Sequence, residues 1–312
     1  MPTWRDRLEG GLHGLLIGDA LGVPYEFRPP ERIPERVLIE FEPPPGYSRA
    51  HAHVPPGTWS DDGAHALCLL SSLQARKFVD LEDLGRRLLS WYERGFLAVD
   101  SKVFDVGIQT TKALANVRAG VPALKAGPSG DRDNGNGSLM RVLPLVLWHR
   151  GDDQALARDA MLQSRVTHGH MRAQVCCALY CLWARRTLEG SSTAWTDALA
   201  TFRVLYPEGM EQREELEREV RPESPEAGQG SGYVVDCLLS ARDCVAAGTS
   251  YEDVVKAAIA LGHDTDTTAA VAGGIAGLQY GIDGIPERWR RALRGQELLT
   301  PLVKELLSLQ KS

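Results

Sequence analysis

Two acidic clusters, about two hundred residues apart, carry the side chains best suited to chemistry in this 312-residue chain. The first is Ser60-Asp61-Asp62, within Gly57-Thr58-Trp59-Ser60-Asp61-Asp62-Gly63; the second is Asp264-Thr265-Asp266-Thr267-Thr268. Each opens straight into an apolar, helix-like run, Ala64 to Leu70 after the first and Ala269 to Leu278 after the second. Four carboxylates brought together repel one another, and a hard cation that takes oxygen ligands is the natural reason to gather them. With the hydroxyls of Ser60 and Thr267, they suffice for two Mg²⁺ or Mn²⁺ ions about 4 Å apart. Taken singly, each cluster also reads as an N-cap whose acids favour the helix dipole. The recurrence of a hydroxyl with paired aspartates in one chain favours the metal.

Other segments carry weaker signals. Gly18-Asp19-Ala20-Leu21-Gly22 closes an amphipathic helix, and Asp19 in that small-residue setting reads as a cap or buried acceptor. Glu26, after a tight exit through Gly22 and Pro24, either projects into a pocket as acid, base or outer ligand, or is an ordinary surface acid. Asn134-Gly135-Asn136-Gly137-Ser138-Leu139-Met140-Arg141 is a Gly-rich turn entering a helix, where backbone N–H groups suit a phosphate; a plain capped loop fits as well. It is neither a Walker sequence nor G-x-G-x-x-G. His168 could donate to a phosphate or be structural, and Tyr233 could stack on a base or ribose or simply pack. The six cysteines lie in apolar helical patterns without a C-x-x-C pair. Cys177 and Cys181 with His168 and His170 fit no common zinc framework, so buried reduced thiols are expected.

The elements that must position these residues are helices. Apolar residues recur every three or four positions over Trp4 to Ala20, Asp61 to Ala75, Leu81 to Tyr92, Val103 to Val117, Leu139 to Trp148 and Asp152 to Ser164. The same holds for Met171 to Leu188, Thr193 to Leu205, Tyr233 to Ala246, Tyr251 to Ala260, Asp266 to Tyr280 and Gly295 to Leu309. Arg36 to Phe41 is the best strand candidate and stands alone. Long loops are expected at Pro29 to Pro56, Gly127 to Gly137 and Pro207 to Gly232. No linker divides the chain, so residues 1–312 read as one all-α domain. Hydrophobic residues at 43% and charged residues at 24% suit a globular core. The net charge of −6 argues against general nucleic-acid binding. No apolar run is long enough to span a membrane, and the start lacks the apolar stretch of a secretion signal, so a cytoplasmic location is expected.

In this order, Gly18-Asp19-Ala20-Leu21-Gly22 with Glu26, Ser60-Asp61-Asp62, Gly135 to Arg141, Thr167-His168 and Asp264-Thr265-Asp266-Thr267 resemble the ADP-ribosylglycohydrolase family. The likeness is closer to its dinitrogenase-reductase-activating branch, through Asp105-Val106-Gly107-Ile108-Gln109-Thr110-Thr111, which looks like that branch's Asp-containing helix start, and Gly232-Tyr233-Val234. Ser60 stands where Thr is usual, and Gly63 where a hydroxyl residue often follows.

The resemblance implies an all-α orthogonal multi-helix bundle with a binuclear Mg²⁺ or Mn²⁺ site in a central cleft, and hydrolysis of the bond joining ADP-ribose to a protein side chain, most often arginine. It implies Ser60, Asp61, Asp62 and Asp266 around one ion and Asp264, Asp266 and Thr267 around the other. It implies Asp105 and Glu26 as the catalytic carboxylates, Gly135, Asn136, Gly137, Ser138 and His168 on the pyrophosphate and adenosine side, and Tyr233 at the ribose or the leaving side chain. An ADP-ribosylated protein is the implied substrate, ADP-ribose the product, and a monomer the expected state. The alternatives are the same fold acting on ADP-ribosyl-serine, a nucleic-acid adduct or a small conjugate; a non-catalytic ADP-ribose-binding module; and a metal-dependent phosphohydrolase.

Overall fold

The structure, a computed structural model, describes residues 2–308. Among these residues it holds fourteen α-helices and no strand. In chain order they are α1 (Trp4–Gly22), α2 (Asp61–Arg76), α3 (Leu81–Arg94), α4 (Ile108–Arg118), α5 (Leu143–Trp148), α6 (Asp153–Ser164) and α7 (Met171–Leu188). Then follow α8 (Ala194–Leu205), α9 (Glu211–Glu215), α10 (Val234–Ala247), α11 (Tyr251–Ala260), α12 (Thr265–Tyr280), α13 (Glu287–Ala292) and α14 (Gln296–Ser308). The all-α expectation holds, with local corrections.

The centre of the bundle is the antiparallel pair α1 and α12. Gly10, Gly14, Gly18 and Gly22 repeat every fourth residue and make one smooth stripe on α1. A Cβ at Gly10, Gly14, Gly18 or Gly22 would clash in turn with the backbone of Gly277, Gly273, Ala269 and Asp266. Only glycine admits so close a backbone contact, and the falling partner numbers show the opposed directions. The hydroxyl of Tyr251 on α11 donates to the Gly14 carbonyl (2.7 Å), and that of Tyr180 on α7 to the Val271 carbonyl (3.0 Å). These bonds key the surrounding helices to the pair. The antiparallel arrangement brings the C-terminal end of α1, with Asp19, to the N-terminal end of α12, with Asp264 and Asp266.

Caps set several helix starts. Thr3 and Asp6 form a reciprocal capping box on α1, Ser60 caps α2, and Asp80 caps α3. The expected strand at Arg36 to Phe41 is instead a 3-10 turn over Arg36–Leu38, for it has no partner strand to pair with. Val103 to Gly107 is not helical, since Asp105 takes φ 53° and α4 begins only at Ile108. Leu139 to Val142 makes tight turns before α5. Inside the expected Pro207 to Gly232 loop lie α9 and a π-helical turn, Leu216–Val220. Short α13 was not expected from the pattern. Leu309, placed in the last expected helix, lies outside the described residues.

Candidate active site

Three helix ends meet at the acidic floor, and backbone geometry explains why. Asp19 accepts hydrogen bonds from the N–H groups of Ser60 (2.9 Å) and Gly63 (2.8 Å), so the end of α1 holds the start of α2. This is the buried-acceptor role expected of Asp19. Thr265 Oγ1 donates to the Gly22 carbonyl (2.8 Å), so α12 starts against the same end. Ser60 Oγ and Thr267 Oγ1 both donate to Asp62 Oδ2, at 3.1 and 3.2 Å. The two clusters, far apart in sequence, therefore touch directly.

Among the described residues no cation forms an ion pair with Asp61, Asp62, Asp264 or Asp266, and of these the buried Arg141 reaches only Asp61 electrostatically. Oxygens of Asp19, Asp62 and Asp266 lie within 4.8 Å of one another, as do those of Glu26, Asp264 and Asp266. Asp61, Asp62 and Asp266 are buried, and burial, reinforced by neighbouring carboxylates, raises their pKa values well above the usual range. Burial raises Asp264 too, against hydrogen bonds from Asn136 and Thr267. Burial lifts Asp19 to about 7, although the backbone N–H groups of Ser60 and Gly63 oppose it. Asp62 Oδ1 and Asp266 Oδ2 are buried without a hydrogen-bond partner, a costly arrangement for an isolated acid. Orphaned carboxylate oxygens in an all-oxygen donor set fit a hard divalent cation.

Above the floor opens a cavity of about 610 Å³. Gly135, Asn136, Gly137 and His168 line one wall. Gly135 N donates to Gln109 Oε1 (2.7 Å), and Asn136 Nδ2 to Asp264 Oδ2 (2.7 Å), which ties the Gly-rich turn to α4 and to the acids. The His168 ring lies where a Gly137 Cβ would stand, 2.7 Å from its Cε1. Arg141, fully buried, donates to the Gly137 carbonyl, to Gln163 and to Thr167 Oγ1 (2.6 Å). Thr167 Oγ1 in turn meets His168 Nδ1 at 2.8 Å. In the tautomer where the Thr167 hydroxyl donates to Nδ1, the ring's N–H lies on Nε2. Burial, then Arg141, lowers the His168 pKa to about 3, so the ring is a neutral donor.

Not every expected contact is made. Ser138 is fully buried and turned away from the cavity, its Oγ bonded to Ser164 Oγ (2.8 Å). Tyr233 is outside the cavity lining as well. Its hydroxyl accepts from Arg172 (3.0 Å), and its backbone pairs with Gly135 in an isolated antiparallel bridge. It anchors the turn through its main chain. The N–H groups of Gly135 and Asn136 are already paired, the second with the Gly232 carbonyl, leaving those of Gly137 and Ser138 unpaired among the described residues.

Glu26 and Asp105 face each other across the other side of the cavity. Burial first, then Asp105 and Asp264, push Glu26 up to about 11, and burial with Asp264 pushes Asp105 to about 6. Two residues here were not among the candidate site residues. His51, in the Pro-rich excursion, meets Glu26 Oε2 through Nε2 at 2.7 Å. Gln109 braces Gly135 while its Nε2 stays buried without a partner. Phe27, His51, Asp105 and His263 all hold left-handed backbones without being glycine, at φ 60, 46, 53 and 60°. Such conformations cost energy and cluster at functional sites.

A family model described as ADP-ribosylglycohydrolase matches residues 1–312. "ADP-ribosylarginine hydrolase Tri1" of Pseudomonas putida (strain GB-1) is 32% identical over 305 residues, covering 96% of this chain and 78% of that one. "ADP-ribosyl-[dinitrogen reductase] glycohydrolase" of Rhodospirillum rubrum is 28% identical, covering 92% and 90%. Among solved structures, "ADP-ribosylglycohydrolase-related protein complex" superposes with a TM-score of 0.78 at 33% identity, covering 98% of both chains. With the two acidic clusters joined on an all-α frame, the chain belongs to the ADP-ribosylglycohydrolase family of enzymes.

Proposed function

We propose that residues 1–312 act as one catalytic domain, a cytoplasmic monomer that hydrolyses the bond between ADP-ribose and arginine in modified proteins. The observation that carries the reading is a floor of clustered, donor-poor carboxylates that shares one cavity with His168, the Gly-rich turn and two further carboxylates, Glu26 and Asp105. The printed activities of the relatives from Pseudomonas and Rhodospirillum support arginine and a protein substrate.

Ser60, Asp61, Asp62, Asp264, Asp266 and Thr267 would hold two divalent cations, Mg²⁺ or Mn²⁺, whose charge orients the distal ribose and stabilises an electron-poor anomeric carbon. The chain's own groups do the rest. His168 and the free N–H group of Gly137, both in the cavity wall, bind pyrophosphate oxygens. Asn136 fixes Asp264, and Gln109 fixes Gly135, so both walls keep their spacing. Asp105 and Glu26, which line the cavity together, are the two carboxylates placed to take a proton from the attacking water and to give one to the departing guanidine nitrogen. The C–N bond breaks, a C–O bond forms to water, and free ADP-ribose leaves.

The test is release of free ADP-ribose from an arginine-ADP-ribosylated protein in Mg²⁺ or Mn²⁺ against EDTA, with a serine-linked peptide beside it. Metal-dependent release from arginine is expected. Release from serine alone moves the substrate, and release of AMP or phosphate instead sinks the glycohydrolase reading. Asp105→Asn and Glu26→Gln should each lower kcat at least about a hundredfold, the range of a lost general acid or base. Full turnover in both variants would remove the two carboxylates from the chemistry.

A further inference from the structure

His51 reaches the centre of the site from a segment that none of the motifs includes. Its Nε2 meets Glu26 Oε2 at 2.7 Å, and Glu26 is only 3% exposed. The ring is held between two aromatic neighbours, Phe27 at 5.5 Å and Phe104 at 5.1 Å between centroids. Phe27 directly follows Glu26 and Phe104 directly precedes Asp105, so one imidazole ring touches the flanks of both carboxylates. Its backbone sits in the left-handed region at φ 46°, a conformation that a non-glycine residue adopts at a cost.

That conformation is tied down on both sides. Ala50 N donates to the Pro24 carbonyl (3.0 Å), Val54 N to the His51 carbonyl (2.7 Å), and the Arg49 guanidinium to the Val54 carbonyl (2.8 Å). The Pro-rich excursion thus returns to the exit of α1 and delivers one ring to one carboxyl oxygen. Only Oε2 of Glu26 is hydrogen-bonded among the described residues; Oε1 is not, and Glu26 lines the cavity. Oxygens of Asp105 on one side and of Asp264 and Asp266 on the other lie within 4.8 Å of the Glu26 carboxyl. The hydrogen bond between His51 and Oε2 fixes that carboxyl among them and leaves Oε1 free to meet a ligand.

We propose that His51 is a positioning residue for turnover: its hydrogen bond to Oε2 and its seat between Phe27 and Phe104 hold Glu26 with Oε1 presented to the leaving side chain. This rests on the hydrolase reading above. His51 itself needs to touch neither substrate nor ion.

The experiment compares His51→Ala, His51→Phe and His51→Gln, each in the wild-type and Glu26→Gln backgrounds, in metal-loaded full-length protein acting on arginine-ADP-ribosylated protein. Loss of the Ala and Phe variants' hydrogen bond should lower kcat about ten- to a hundredfold, the usual toll of removing a group that orients a site residue. KM and the calorimetric Kd for ADP-ribose should move by less than about twofold, since ground-state binding is untouched. Gln can place a nitrogen near the Nε2 position and should restore most of the rate, whereas Phe keeps the aromatic packing and should not. In the Glu26→Gln background the same substitutions should cost less than about twofold, because the group they act through is gone. An unchanged kcat, a loss confined to KM, a Phe variant as active as wild type, or a penalty undiminished beside Glu26→Gln would each overturn the proposal. A wild-type protein that releases no ADP-ribose overturns the hydrolase reading instead, so the two failures are distinct.

Discussion

Asp62 Oδ1 and Asp266 Oδ2 show at the scale of single residues how function and stability oppose one another. Each is a buried oxygen without a donor, among like charges. Asp62→Asn or Asp266→Asn removes a carboxylate from that crowd. The metal-free protein should gain stability, by about 1–2 kcal/mol on the scale of a relieved like-charge contact in a partly polar site. The same variants should lose the rise in Tm that Mn²⁺ gives the wild type. Thermal melts with EDTA and with Mn²⁺ check both halves; a variant less stable than wild type without metal contradicts the account. Arg141 makes the opposite case. Its buried fork serves neutral oxygens on three segments, so Arg141→Lys should cost about 3 kcal/mol in urea unfolding and weaken ADP-ribose binding through His168. The floor acids were legible because a hydroxyl with paired aspartates at a helix start is a local pattern. His51 and Gln109 were not, because their partners lie 25 and 26 residues away and nothing beside them in the chain marks the pairing. The resemblance puts Ser138 on the pyrophosphate side, whereas its side chain bonds Ser164, because a tight turn sends successive side chains to different sides and spacing alone does not say which.

At the scale of elements, the four-residue glycine stripe of α1 sets the geometry of the site. Gly18→Ala would place a methyl group against the Ala269 carbonyl, with backbone on both sides and no flexible side chain to give way. It should destabilise the protein by at least about 3 kcal/mol, the upper end of the usual cost of overpacking. It should also weaken metal-dependent stabilisation, by pushing Asp19 away from Ser60 and Gly63. Gly107→Ala is the control: φ there is −62°, and a Cβ meets only Thr110 Oγ1 at an ordinary 3.8 Å. Equal losses in the two variants, read from urea unfolding, would show that close approach is not what the stripe provides. The long helices could be read from their period because each turns an apolar face to the core. Their ends were harder. The pattern at Val103 to Gly107 looks helical, but Asp105 takes a left-handed backbone, and α4 waits for Ile108. A lone apolar run such as Arg36 to Phe41 has no means of becoming a strand when every neighbour is a helix.

For the whole molecule, the net charge of −6 and the buried acids predict how stability depends on pH. Burial holds Asp105 at about 6 and Asp19 at about 7, both above the unfolded value near 4. The folded state therefore binds more protons than the unfolded chain. The stabilisation this gives is complete below about pH 4 and is lost as pH rises through about 6 to 7. The EDTA-treated protein should melt higher at pH 5 than at pH 8, and saturating Mg²⁺ should shrink or reverse that difference by neutralising the floor. A flat profile without metal would mean that the acids are less crowded than their burial indicates. No helix among the described residues is long and apolar enough to cross a membrane.

The pairing of α1 with α12 also has a consequence in time. The ribosome makes α1 first, yet its glycine stripe has nothing to lie against until residues 265–280 have left the exit tunnel. Asp62 waits equally long for Thr267. Contacts of such sequence separation form late and at a high entropic cost. A nascent chain or a fragment ending before α12 therefore holds half of each acidic contact and no complete floor. On the proposed mechanism a chain truncated before Thr265 is expected to release no ADP-ribose, which an assay of the truncated protein checks.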